Sequence, residues 1–430
     1  MSEVMQLSPL SQAAETWFRA LGEPSGLLEQ RAQALTAYAA LPVPKYEKSD
    51  LRKRKLDAFM AAPEGEPGAQ WRTLAEPYMD DESSAPLLVF ADGDLVFARG
   101  LASLEEQGVQ FLPLRDAICA YPTEVLSRLH TAVPYTENQL LALGAGLWRA
   151  GVYVKTPQGV VCEQPLHVLH VATQGGQGAF VHNLIVAEAM SQVTVLETYL
   201  ASADLTDNLH VGVTEVFVGA GARVKDGIVQ DLPRSVTHIV VRRALVDRDA
   251  TMEWVLGELG DGYSVSEVGS RLIGQGSRST SHAVALGSGR AHADMTARMV
   301  HEAKFSESDT TARGVMQGKA NGVYRGITHI LKGASGSNGQ QSEKLLMMSP
   351  GSRADAIPML LIDENDVKCG HAASVGQINE EQLFYLMSRG ISEIEAKRMV
   401  VWGFLDPVLA ELPLASIRKT VERVLERKMK

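Results

Sequence analysis

Cysteine is scarce in this chain: three residues in 430, Cys119, Cys162 and Cys369, odd in number and far apart. That excludes the even, closely spaced framework of a disulfide-stapled secreted protein and points to a reducing, cytoplasmic setting. Long apolar runs are missing too. No segment approaches the ~20 apolar residues that would span a bilayer, and the opening MSEVMQLSPLSQAAETWF has no apolar core after a basic start, so neither export nor membrane insertion is expected. A basic surplus is also absent. Asp and Glu outnumber Lys and Arg by 51 to 41, for a formal charge of -10, which argues against a nucleic-acid partner. The one dense basic run, LRKRKL at Leu51 to Leu56, reads as a solvated face.

Signatures of self-contained catalysis are missing as well. GKAN at 318–321 lacks the hydroxyl residue and upstream glycine of a phosphate loop, so no ATP site of its own is expected. GAGLWR has Arg149 where a dinucleotide loop needs its third glycine, and GAGARV sits between strand-like runs; both read as turns. No Gly-x-Ser-x-Gly elbow or His-Glu-x-x-His helix occurs. The chain reads as a scaffold rather than an enzyme.

What is present is a folded composition, 45% hydrophobic and 21% charged, long enough for two or three packed units. From Leu10 to about Met60 apolar residues recur at spacings of three and four, a helical pattern interrupted by Pro42 and Pro44; residues 60–150 mix helical and strand signals. The texture changes near Gly151. From there to about 375, Val-, Ile-, Leu- and Thr-rich runs alternate with small turns, and each unit reads as strand, tight turn, strand. Turn centres near Ser191, Gly221, Asp249 and Gly276 recur every 27 to 30 residues or so, a period that suggests stacked repeats. A right-handed parallel β-helix or similar solenoid absorbs this pattern better than a large sandwich, and its open ends must be covered by a helix, a loop or another chain. Helical grammar returns at 379: Asn379 can cap one helix, Gly390 can stop it, and Ser392 with Glu395 forms a capping-box pattern for the next, expected to run to Asp406-Pro407. A last helix places Leu414, Ile417, Val421, Val424 and Leu425 on one stripe. The division expected is 1–150, a helical and mixed region; 151–378, the β-helix core; and 379–430, a helical domain.

The candidate chemistry lies in DVKCGHAASVG, residues 366–376. In a strand, side chains two apart share a side, so Cys369 and His371 project together while Gly370 faces away. An imidazolium beside a thiol raises its thiolate fraction and makes a nucleophile or soft-metal ligand; a packed cysteine beside a surface histidine is the plainer reading of the same spacing. A zinc site would want four ligands and usually a Cys-x-x-Cys pair, and an iron–sulfur cluster normally four thiolates. Any metal held here therefore needs ligands from another chain. His167 and His170, three apart, fall on opposite strand faces, Cys162 reads as packed core, and His282, His292, His301 and His329 are scattered over successive strands.

The stretch NGQQSEKLLMMSPGSRADAIPMLLIDENDVKCGHAASVGQINEEQLFYLMSRGIS resembles the SufB/SufD family of iron–sulfur cluster assembly proteins, in its SufD-type branch. The likeness is dense over about 315–406, and LLALGAGLWRAGVYVKTPQGVVCEQPLHVLHV upstream shares it. The resemblance implies the same three-part architecture, a SufB-type partner bound through the β-helix, and a SufC-type ATPase docked on the carboxy-terminal helices, with 392–405 and 414–430 as candidates. It implies a transient iron–sulfur cluster at the subunit interface and leaves room for a reduced flavin in the complex. By position His371 matches the histidine that acts with a SufB cysteine, and Cys369 matches the family's cysteine in the same strand; both become candidate iron ligands. A SufB-type paralogue would be longer and carry a further cysteine within the β-helix. A polysaccharide-active β-helix enzyme would need clustered carboxylates that do not stand out here. Without its partner, the open end leaves self-pairing into a homodimer available.

Overall fold

A computed structural model describes residues 9–53, 66–79, 85–410 and 415–429. The amino-terminal region carries helices α1 (Pro9–Ala20), α2 (Ser25–Ala40) and α3 (Gln70–Met79), then strands β1 (Leu87–Ala91) and β2 (Asp94–Arg99), the short α4 (Ala102–Glu105) and β3 (Gln110–Pro113). Helices α5 (Leu114–Ala120), α6 (Pro122–Leu126) and α7 (Gln139–Leu147) lead into the strands. These are β4 (Val152–Thr156), β5 (Leu166–Ala172), β6 (Gly178–Ala187), β7 (Gln192–Ala201), β8 (Asn208–Val218), β9 (Arg223–Asp231), β10 (Val236–Val246) and β11 (Thr251–Glu258). They continue as β12 (Tyr263–Leu272), β13 (Arg278–Gly287), β14 (His292–His301), β15 (Glu307–Met316), β16 (Asn321–Ile330), β17 (Asn338–Met347), β18 (Arg353–Ile362) and β19 (Lys368–Gln377). Helices α8 (Glu380–Ser388), α9 (Glu393–Leu409) and α10 (Ala415–Lys428) follow.

From β4 onward no strand pairs with the next strand in sequence. Each lies parallel to the strand two places on, which sorts them into two sheets, β19-β17-β15-β13-β11-β9-β7-β5-β1-β2 and β18-β16-β14-β12-β10-β8-β6-β4-β3. The result is a two-sheet parallel β-solenoid of about eight turns, and the strand-turn-strand units are its coils rather than hairpins. Both sheets begin before residue 151: β1 pairs parallel with β5, and β3 antiparallel with β4. The amino-terminal region thus caps the solenoid's first end with its own strands.

The corners explain the recurrence. Met190, Gly221, Asp249, Gly276, Phe305 and Gly336 all have positive φ, and the N–H of each donates to the carbonyl just ahead of the next corner residue, as from Gly221 to Arg248 and from Gly276 to Lys304. Side chain and glycine alternate up this corner. A Cβ on Gly221 would meet Met190 Sδ at 2.4 Å, and one on Gly336 would meet the Phe305 ring at the same distance.

Alternate residues point inward, giving patterns such as buried Gly339, Gln341, Glu343 and Leu345 in β17. The interior core runs from Leu88 and Phe90 to Tyr324 and Leu345. The outer faces are covered by helices: α1, α2, α5 and α7 with Leu184, Leu209 and Ile239 on one sheet, and α9 and α10 with Val229, Val284, Val315 and Leu346 on the other. Expected caps are in place. Asn379 accepts from the Glu381 and Gln382 amides, Ser392 and Glu395 form a complete capping box, and Gly390 takes φ 88° after α8. Two expectations change. Helix α9 runs past Pro407 to Leu409, because Leu405, Val408 and Leu409 are held in the interface with the sheet. Gly144 and Gly146 of GAGLWR close α7 instead of forming a turn, and Gly146 is where Leu35 packs, 2.4 Å from where a Cβ would sit.

Candidate functional site

The two sheets end together on β18 and β19, each paired on one side only. Among the described residues no further strand pairs with this last coil, which leaves it as the open end of the solenoid. Its strand β19 is positioned by the corner before it: the Gly336 amide donates to Asp366 O, the Lys368 amide to Ser337 O, and Ser335 Oγ to Asp366 Oδ2 at 2.8 Å. The Gly333 and Asn365 amides both donate to Glu364 and hold its carboxyl down at about 2.

The ladder fixes where the candidate residues face. Cys369 is in register with Gly339, Ser308, Ser279, Met252 and Val224, and His371 with Gln341, Thr310, Ser281, Trp254 and Asp226. All ten are interior, buried positions. Cys369 and His371 therefore share the inward face of the final coil, as period-two alternation predicts. With no coil above them, Cys369 is half-buried and His371 exposed. A Cβ on Gly339 would lie 3.5 Å from Cys369 Sγ. Burial pushes the Cys369 thiol up, against the Gly370 amide that pulls it down; the lowering that a neighbouring imidazolium would give is not what governs it. With its pKa raised, the group favours the thiol over the thiolate.

Backbone groups at this end are equally telling. In a parallel ladder alternate residues turn both N–H and C=O to the same side. Since Lys368 bonds to β17, Cys369, His371, Ala373 and Val375 direct theirs to the free edge. On β18 the Arg353 amide bonds to Ala320 O, so Ala354, Ala356, Pro358 and Leu360 face outward, and Pro358 interrupts that edge with a missing donor. The free edge of β19 has no such break.

Other sequence candidates take structural places. Cys162 is in the interior core, its thiol pushed up by burial, and Cys119 is exposed on α5. His167 and His170 fall on opposite faces: His167 Nε2 lies 2.9 Å from Thr198 Oγ1, and His170 stacks inside between Phe90 and Tyr199. His292, His301 and His329 are held by Ser49 and Asn321, by Ser306 and Ser308, and by Asp363. Of the basic run, only Leu51 to Lys53 falls among the described residues.

A constellation the sequence reading missed joins His130, His182 and Glu215, with ligand-type atoms all within 4.8 Å. Glu215 already accepts from the His130, Ala132 and Val133 amides and lies 2.9 Å from His182 Nε2. Its lone pairs are taken, so it works as a clamp that pins the 130–133 segment to the sheet. Residues 85 positions apart carry no local signal of such a meeting.

On the carboxy-terminal helices, α10 turns Val421, Val424 and Leu425 inward against the solenoid; Leu414 and Ile417 of the expected stripe lie outside the residues whose surroundings are described. The exposed apolar side chains are instead Phe384, Tyr385 and Met387 of α8 and Ile394 and Met399 of α9, with Phe384 74% exposed. Among the described residues no helix is long and apolar enough to cross a membrane.

Residues 170–404 match the family profile described as SUF system FeS cluster assembly, SufBD core domain. The chain is 35% identical to the iron–sulfur cluster assembly protein SufD of Bacillus subtilis (strain 168), over 95% of each chain. It is 29% identical to SufB of the same organism, over 91% of this chain and 87% of that one. A SufBD family protein of Staphylococcus epidermidis (strain ATCC 12228 / FDA PCI 1200) is 28% identical over the same shares. With a full-length solenoid and a Cys-x-His strand at its open end, the chain belongs to the SufB/SufD family of SUF-system iron–sulfur cluster assembly proteins, as a SufD-type member.

Proposed function

We propose that this chain is a non-catalytic scaffold subunit that pairs through β19 with a SufB-type subunit, so that His371, with Cys369 beside it, joins the partner's cysteine in holding a nascent iron–sulfur cluster. The observation that carries this reading is His371 itself, exposed on the inward face of a coil whose outer edge is unpaired. The cluster is cargo, and neutral imidazole is a competent iron ligand. One thiol and one imidazole leave the coordination sphere incomplete, so a second chain must finish it.

Edge pairing is supported by the unbroken row of outward backbone groups at Cys369, His371, Ala373 and Val375, a template for strand addition. In the absence of a SufB-type chain the same edge serves a second copy. The apolar surface on α8 and the start of α9 suits a SufC-type ATPase, and the buried stripe of α10 makes that helix the anchor of the platform rather than its docking face.

The test is anaerobic co-expression with SufB-type and SufC-type partners. His371→Ala should leave the complex assembled and remove most of the cluster absorbance; full cluster assembly by that variant would overturn the assignment.

A further inference from the structure

One coil beneath His371, four buried oxygen atoms are left with little to bond to: both carboxylate oxygens of Glu343, approached by the Gly326 amide, the amide oxygen of Gln341, and the hydroxyl of Tyr324 beside Thr310. Glu343 is fully buried, Tyr324 nearly so, and Gln341 is 4% exposed. They belong to β17 and β16, which face each other across the interior. Gly326 makes the room they share: a Cβ there would meet Glu343 Oε1 at 2.5 Å and Gln341 Oε1 at 2.9 Å. Two acceptor oxygens converge on one point, and the Gln341 amide is oriented by its Nε2–H, which donates to Thr328 Oγ1 at 2.7 Å.

A carboxyl in such a place either keeps its proton or takes a counter-charge. No hydrogen-bonding or ion-pairing side chain reaches Glu343 among the described residues, and an uncompensated buried charge is among the costliest groups a core can hold. Burial pushes its carboxyl up to about 7, with the Gly326 amide pulling the other way. The Tyr324 hydroxyl is pushed up first by burial and then by the Glu343 carboxyl. Without a cation the carboxyl can hold its proton; a divalent cation would displace that proton and supply the charge that the carboxylate form lacks.

We infer that Glu343 and Gln341, with Tyr324 alongside, form an oxygen-donor site for a divalent cation directly beneath the open end, fitted to ferrous iron. The donors are hard oxygens, a set that suits Mg²⁺, Ca²⁺ and Mn²⁺ rather than soft ions, and at a given site of this kind Fe²⁺ binds more tightly than Mn²⁺. The way in is short. In the last coil Glu343 is in register with Ala373, whose methyl is exposed, and Gly326 with Pro358. The neighbouring columns end in Cys369 and His371. This inference rests on the reading of the open end as the place where the cluster is built, for that reading makes iron the cation supplied there.

The test is anaerobic titration of the purified full chain with Mn²⁺, followed by electron paramagnetic resonance, and with Fe²⁺ and Mg²⁺ by calorimetry. The intact chain should bind one equivalent of Mn²⁺ or Fe²⁺. Glu343→Gln, which keeps the shape and removes the charge, should weaken that binding at least tenfold while its thermal unfolding temperature holds or rises. His371→Ala should still bind Mn²⁺. No stoichiometric binding by the intact chain, or binding unchanged in Glu343→Gln, overturns the site; Mg²⁺ bound as tightly as Fe²⁺ overturns its assignment to iron. The two readings fail separately: cluster assembly intact in His371→Ala removes the proposed function, and Mn²⁺ binding indifferent to Glu343 removes this site.

Discussion

His170 stands between Phe90 and Tyr199, ring centroids 5.4 and 5.1 Å away and planes within 17°, and neither of its nitrogens has a partner. Across the interior His210 and His238 stack on each other at 4.6 Å, likewise unpartnered. Burial drives His170 down to about 4, and His210 and His238 well below the ordinary imidazole value. The native state therefore holds these rings neutral, whereas the unfolded chain takes up protons below about 6.5. Their contribution is present above that value and is lost as pH falls from about 6.5 towards 4. Unfolding followed at pH 7.5 and pH 5 should show it. His170→Phe extends the Phe90 stack and leaves no group unpaired; it should match the parent at pH 7.5 and regain roughly 1–2 kcal/mol at pH 5. An identical pH dependence in parent and variant would mean that His170 charges freely in the fold. At this scale the sequence was legible where alternation alone decides: His167 against His170, Cys369 with His371. The His210–His238 pair and Glu343 were not, because their meaning depends on which strand lies 28 residues away and on what crosses from the opposite sheet.

The coil is the element of this fold, and its corner carries a packing rule that can be tested. Phe305 holds φ 57° with its ring over Gly336, which has φ +77°. Gly289 sits at another corner with φ +61° and nothing within 4 Å of its would-be Cβ. Alanine at either position must adopt the left-handed region, at about 1–2 kcal/mol. Gly336→Ala must also displace an aromatic ring, so urea unfolding should find it more destabilising than Gly289→Ala. Adding Phe305→Ala to Gly336→Ala should bring the cost back to that of Gly289→Ala. Equal costs for the two single variants would show that the ring yields freely. Corner spacing was readable from Ser191, Gly221, Asp249 and Gly276, and the helix caps from Asn379 and Ser392–Glu395, since each is set by local backbone chemistry. The pairing was not: a run of strand, turn and strand has the same local pattern whether neighbours form a hairpin or successive coils stack. Nor could periodicity show that Pro407 would be carried inside α9, because burial of the flanking Leu405, Val408 and Leu409 decided it.

At the scale of the whole molecule the two ends of the solenoid are treated differently. The first is closed by strands of the amino-terminal region, β1 parallel to β5 and antiparallel to β2, and β3 antiparallel to β4, which is why a boundary at 151 divides strands of the same sheets. The second ends on β18 and β19, with no such pairing strand among the described residues. Proline separates these two edges. Pro358 already blocks β18, whereas every outward position of β19 keeps its N–H. Ala373 is the outward residue nearest the middle of β19, and its amide takes no part in the bonds to β17, so Ala373→Pro should leave the solenoid's own ladder intact and remove one donor from the free edge. The expected outcome is a chain that melts within a few degrees of the parent yet binds a SufB-type partner at least tenfold more weakly, measured by co-purification and titration. Ala372→Pro serves as the contrast: its amide points at β17, so the ring should loosen the last strand itself and lower the melting temperature. If Ala373→Pro bound its partner as well as the parent does, strand addition at β19 would be excluded, and the partner would have to be held by side chains of the open end alone.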